Sequence, residues 1–144
     1  MDQAKKMLIL KIVVIIIVAL IAITIVLMTL SLSAANALLV PIEEQLSSLE
    51  KGGTEAAYNL TSEEFKKSVS LEEFNNFVKT NPILSSKNNR TFKEKIIQND
   101  AGLVKGLISS EATGGALFVE YNLIKENGQW KIIHFKVSPN PIVD

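Results

Sequence analysis

The sequence predicts an α+β fold: an N-terminal transmembrane helix, then three short helices packed on a curved four-stranded antiparallel sheet. Three observations carry that expectation. The chain runs from Ile12 to Leu32 without a charged residue. Apolar side chains then recur at helical spacing as far as Val78. From about Arg90 onward the period shifts toward two, with turn-forming residues at regular intervals.

The apolar run comes first. At about 1.5 Å of rise per residue it forms a helix roughly 30 Å long, the thickness of a bilayer's hydrocarbon core. A helix that is apolar on every side has no place on the surface of a small soluble domain. Thr24, Thr29 and Ser31 interrupt it only mildly, because a hydroxyl can bond back to its own helix. Lys5, Lys6 and Lys11 precede the run with only Asp2 against them, and the first charges beyond it are Glu43 and Glu44. The positive-inside rule therefore predicts a cytoplasmic tail (1–11), a spanning signal anchor (12–32) and a linker (33–41). The domain that follows is expected on the periplasmic or extracellular side of the cell inner membrane. Ala35-Asn36-Ala37 has the small-x-small form that signal peptidase accepts, so cleavage after Ala37 is the competing expectation. The run exceeds the roughly 7–15 residues of a signal peptide's apolar region, which favours the uncleaved anchor.

Composition narrows the chemistry. Formal net charge is zero and, with the N-terminal lysines set aside, acids slightly outnumber bases, against a nucleic-acid partner. There is no cysteine, so disulfides and thiolate metal sites are excluded. One histidine and no regular spacing of Asp make a metal site unexpected, and no phosphate-binding glycine motif or nucleophile elbow is present. No catalytic residue, metal or cofactor is assigned.

The helical part reads as follows. Ile42, Gln45, Leu46 and Leu49 share one face beyond Pro41, with Glu43, Glu44 and Glu50 opposite, and Gly52-Gly53 ends that helix. Ala56, Ala57, Tyr58 and Leu60 form a second, with Thr54 as its expected N-cap. Thr61-Ser62-Glu63-Glu64-Phe65 and Ser70-Leu71-Glu72-Glu73-Phe74 each read as a capping box, with Glu64 and Glu73 reaching back to the hydroxyl-bearing cap. Adjacent acids on a helix diverge, so capping explains these Glu pairs better than catalysis does. Leu71, Phe74, Phe77 and Val78 face inward, and Asn81-Pro82 stops the last helix before a polar loop, Ser85–Asn89.

Strands are expected at 90–98, 103–110, 115–126 and 129–138. The turn candidates between them are Asn99-Asp100-Ala101-Gly102, Glu111-Ala112-Thr113-Gly114 and Glu126-Asn127-Gly128-Gln129, with Asn127-Gly128 a strong type I′ signal. Extending the last hairpin without interruption pairs Lys125 with Trp130, Leu123 with Ile132, Tyr121 with His134 and Val119 with Lys136. That face is assigned to the helices. The opposite face would then carry Phe118, Ile133, Phe135 and Val137 as an apolar strip, a candidate surface for a homodimer or another partner.

At this point the chain resembles a known superfamily. The stretch Glu50 to Tyr58, the (Ser/Thr)-x-Glu-Glu-Phe helices and the closing Asn127-Gly128-Gln129-Trp130-Lys131-Ile132 are similar to the nuclear transport factor 2-like (cystatin-like cone) fold. The resemblance covers about residues 42–138 and extends to small bacterial domains of that superfamily with no assigned function. It implies a cone-shaped pocket between sheet and helices, which enzymes of the superfamily use with an Asp or His base and a Tyr or Asp donor. Tyr58, Tyr121, Trp130 and His134 are the pocket candidates. A Tyr121–His134 pair could move a proton, but no carboxylate is placed to orient the histidine, and an aromatic cross-strand pair is the simpler account.

The expected function is a membrane-anchored, non-catalytic interaction or ligand-binding domain, in one version a subunit of an envelope assembly such as a type IV secretion system. Its expected partners are the membrane, a second copy or an envelope protein complex, and a small apolar ligand. The alternatives are an isomerase, dehydratase or hydrolase using His134 and Tyr121, and a secreted hydrophobe-binding protein.

Overall fold

The computed structural model describes residues 2–142. Met1, residues 143–144 of the expected tail (139–144) and the Ser31 side chain, whose bond back to the helix was expected, lie outside the described structure. Two compact units are present, residues 1–34 and 35–144.

The first unit is one helix. Helix α1 spans Gln3–Ala37 and is apolar on all sides over Ile12–Leu32, with its large side chains exposed. Thr24 and Thr29 donate to the carbonyls of Ile21 (2.7 Å) and Val26 (2.8 Å), so neither hydroxyl is left unpaired. It is long and apolar enough to cross a membrane. The helix begins well before Ile12 because nothing in Gln3–Lys11 breaks it.

The second unit is the α+β domain. It comprises α2 (Leu39–Glu50), α3 (Thr54–Tyr58), α4 (Glu63–Ser68), α5 (Leu71–Thr80) and a 3₁₀ turn (Pro82–Ser85). Four strands follow as an antiparallel meander: β1 (Asn89–Gln98), β2 (Ala101–Ser110), β3 (Gly115–Glu126) and β4 (Gln129–Ser138). Four α-helices lie in this unit where three were expected, because Ser62 and Ser70 each start one.

Residues 33–41 are not an extended linker. The chain is helical to Ala37 and again from Leu39, and Pro41 sits in the first turn of α2, where a missing N–H costs nothing. Leu38 is fully buried, joining Ile42, Leu46 and Leu49 in the core. Pro82 opens the 3₁₀ turn, and Ile83 and Leu84 go into the core just before the polar loop. Thr54 is inside α3, with Gly53 as the N-cap residue.

The two capping motifs behave differently. Ser70 accepts from the Glu73 amide, and the Glu73 carboxylate accepts from the Ser70 amide at 2.7 Å, a complete box. In the first motif Ser62, not Thr61, is the cap, and its partner is the Phe65 amide. Thr61 is withdrawn because residues 60–62 pair with β4: the Ser62 amide donates to the Ile132 carbonyl, and the Ile132 amide to Leu60. This segment covers the free edge of β4, which would otherwise offer unpaired backbone groups.

The turns match their chemistry. Asn127 and Gly128 both have positive φ (50° and 78°), as a type I′ turn requires. Two bulges set which side chains face the helices, one at Lys93 in β1 and one at Ile133 in β4. From the turn, pairing runs as expected through Leu123 with Ile132. Beyond it Ile133 has no partner, and Asn122 faces His134, Tyr121 faces Phe135 and Glu120 faces Lys136. A one-residue insertion moves every later side chain to the opposite face. Uninterrupted pairing would bury His134 beside Tyr121 and expose Phe135. The bulge turns Phe135 inward, and burying a Phe is worth about 1.5–3 kcal/mol, whereas an unpaired buried imidazole costs.

Candidate functional site

The sheet presents two surfaces. On the inner one, Phe135 lies among five other rings. It stacks on Tyr121 (centroids 5.6 Å) and Phe65 (5.9 Å) and meets Phe77 (5.2 Å) and Phe74 (6.1 Å) edge-on. Tyr58 adds edge and tilted contacts to Phe65 and Phe74. The space expected as a cone pocket is filled by side chains. What remains is a slot of about 160 Å³ between α4, α5 and β4, lined by Phe65, Val69, Phe74, Phe77, Phe135 and His134.

The four pocket candidates are dispersed. Tyr58 donates its hydroxyl to the Val69 carbonyl (2.6 Å), which ties α3 to the end of α4. Tyr121 is buried in the core, and that burial pushes its phenol well above the ordinary value; Arg90 opposes the rise and Glu43 adds to it. Trp130 is half-buried beside the last hairpin, with the Lys125 ammonium 5.5 Å above its ring. It borders a shallow hollow with Ala37, Val40, Pro41 and Leu60, outside the aromatic cluster. His134 is exposed at the slot's rim and opposite Asn122. The expected Tyr121–His134 pairing is therefore corrected: the bulge separates the two side chains onto opposite faces.

The partner strip is corrected for the same reason. Phe135 is inside the aromatic cluster, Val137 faces Val119 and packs on the core, and Ile133 is the bulge residue. Phe118 alone of the four remains on the outer surface as expected, between Leu107 and Ser138. That surface also carries exposed Ile96 and a groove of about 390 Å³. The groove is lined by Thr91, Lys93, Glu94, Leu107 and Phe118, with Pro141 and Ile142 as one wall.

Charge on the outer surface is ordered. Glu94 pairs across to Lys105, Lys105 to Glu120 and Glu120 to Lys136, one residue on each strand. The Glu120 carboxylate is nearly buried, 3.8 Å from the Lys105 Nζ and 3.7 Å from that of Lys136, and the Asn122 amide donates to it at 3.4 Å. Sequence reasoning missed this row. Its signal is the alternation Gly102, Val104, Gly106, Ile108 against Leu103, Lys105, Leu107, which already assigns Lys105 and Leu107 to the outer face of β2.

A second cluster fastens α2 to the sheet. Arg90, the sole arginine, bonds Glu43 (2.7 Å), Glu50, Ser47 (3.4 Å) and Asn88 (2.7 Å) with its side chain mostly buried. Glu43, Ser47 and Glu50 lie at i, i+4 and i+7 on one stripe of α2. Each guanidinium nitrogen has a partner in the chain, so the cluster is a clamp. Among the described residues no group of three or more His, Cys, Asp or Glu side chains could hold a metal ion.

Comparison with known proteins agrees with this architecture. A crystal structure of an NTF2-like protein of unknown function from Shewanella baltica OS155 superposes with a TM-score of 0.54 at 10% identity, covering 76% of this chain and 97% of that one. At that identity the likeness establishes the fold, which is nuclear transport factor 2-like. No curated protein matches the sequence. Residues 33–142 match the profile described as Domain of unknown function (DUF4864), and the chain belongs to that family.

Proposed function

We propose that this protein is a single-pass membrane-anchored interaction domain, held outside the cytoplasm and working by binding. The observation that carries the proposal is α1: apolar on every side over Ile12–Leu32, with none of its apolar window buried by the protein. Lys5, Lys6 and Lys11 before that run support a cytoplasmic N-terminus. The filled inner face and the dispersal of Tyr58, Tyr121, Trp130 and His134 favour binding over catalysis, because among the described residues these candidates do not converge on a cavity. A subunit of an envelope assembly such as a type IV secretion system is one form such a protein takes, supported by arrangement alone: short tail, one span, small exported domain.

Fractionation tests the proposal. The full-length chain should sediment with membranes, resist carbonate extraction and expose residues 35–144 to protease only from the outer side. Release by carbonate, or a product shortened by about 37 residues, would replace the anchor with a peripheral or a secreted protein.

A further inference from the structure

We propose that the end of the domain where the chain enters it docks into the phospholipid headgroup layer of the membrane that α1 spans. Trp130 is its interfacial anchor, and Lys125 and Lys131 take the lipid phosphates. This deepens the anchor reading above and rests on it.

Covalent reach sets the place. Leu32 closes the apolar run, and the chain stays helical to Ala37. The rise over that stretch is about 7.5 Å, at about 1.5 Å per residue. The polar layer on each side of a bilayer's hydrocarbon core is roughly 5–8 Å deep. Ala37 is therefore at the outer edge of that layer, and whatever touches it is held there too. Ala37 lines a hollow of about 350 Å³ with Val40, Pro41, Leu60, Trp130 and Lys131.

Two further contacts bring the other hairpin to the same end. The Lys95 Nζ donates to the Asn36 side chain at 2.9 Å. Leu38 packs on Gly102 so closely that a Cβ there would stand 2.5 Å from its Cδ2. The β1–β2 and β3–β4 tips thus both border residues 36–41. The β2–β3 turn at Glu111–Gly114 is the length of β2 away, roughly 30 Å.

The side chains at this end suit a headgroup layer. Val40 is apolar and exposed, and Trp130 is half-buried, with an apolar ring and one N–H donor. Its cross-strand partner Lys125 sets an ammonium 5.5 Å above the ring. Lysine stems lie along apolar surface while their heads reach phosphate. Three acids share this end. The Glu126 carboxylate accepts from the Glu63 amide at 3.3 Å and so is turned toward α4. Glu44, on the hollow, and Asp100, in the first tip, can meet the ammonium of an ethanolamine headgroup.

The sole tryptophan is a native probe. The full chain is reconstituted in vesicles of phosphatidylethanolamine and phosphatidylglycerol that carry a nitroxide lipid. The nitroxide sits either at the headgroup or near the end of an acyl chain. The headgroup label should quench Trp130 emission at least about twice as strongly as the deep label. Lys125→Glu with Lys131→Glu should reduce that quenching to about half or less, and the same pair changed to Gln should give an intermediate loss. Lys87→Glu, beside Glu111 at the opposite end, should leave it unchanged. Stronger quenching by the deep label, no loss in the Lys125 and Lys131 variants, or an equal loss from Lys87→Glu overturns the docking. A chain that floats with the vesicles while Trp130 stays unquenched keeps the anchor and loses the docking. A chain that does not float overturns both.

Discussion

The inner and outer faces of one sheet have opposite fates in this molecule. The inner face is closed by Phe65, Phe74 and Phe77 from the helices meeting Tyr121 and Phe135 from the strands. The outer face carries a charged row flanked by Ile96, Leu107 and Phe118, and none of the described helices of the second unit packs over it. The inner space expected as a pocket is thus filled by side chains. The device that divides the faces is small: one unpaired residue, Ile133, after which β4 exchanges its inward and outward side chains.

The contrast can be broken from the inside first. Phe135→Ala removes four ring contacts and should cost about 3 kcal/mol or more, seen as a lowered urea midpoint with an unchanged slope. Arg90→Met leaves Glu43 and Glu50 without their cation. Because Glu43 is 44% exposed, the loss should be about 2 kcal/mol, below that of a fully buried pair.

On the inner face of β2 lies Gly106. A Cβ there would stand 2.5 Å from the Thr91 carbonyl oxygen and 2.6 Å from the Phe92 ring. Gly106→Ala must shift β1, and about 1–2 kcal/mol of destabilisation is expected in the same urea experiment. On the outer face, Phe118→Ala should change stability by less than about 1 kcal/mol in the same experiment.

The smallest effect is at Glu73. The Ser70 amide, then its hydroxyl, hold the Glu73 carboxyl below its ordinary value of 4.5. A lowered folded value means the box contributes fully above the ordinary range and loses its contribution as pH falls through the folded value. Glu73→Gln should therefore flatten the acid side of the stability profile and leave its shape near neutrality unchanged.

Much of the fold is legible in the residues themselves. The apolar run, the helical stripe of α2 and the hairpin turns depend on local chemistry, such as the positive φ that Asn127 and Gly128 tolerate. The Ile133 bulge is hidden because Ile132, Ile133 and Phe135 put apolar side chains in both alternations, so hydrophobic pattern cannot choose a register. Its cause lies far away in sequence, in the rings of α4 and α5. That one hidden residue misplaces His134, Phe135, Lys136 and Val137 together and gives Tyr121 the wrong partner. The Arg90 clamp is long-range too, joining β1 to a helix more than forty residues earlier.

The face exchange at Ile133 is tested most directly by proton NMR of the full chain with labelled Tyr, Phe and His. The lone histidine makes its assignment unambiguous. Ring-to-ring Overhauser contacts between Tyr121 and Phe135 are predicted, with none between Tyr121 and His134. A Tyr121–His134 contact without a Tyr121–Phe135 contact would contradict the account.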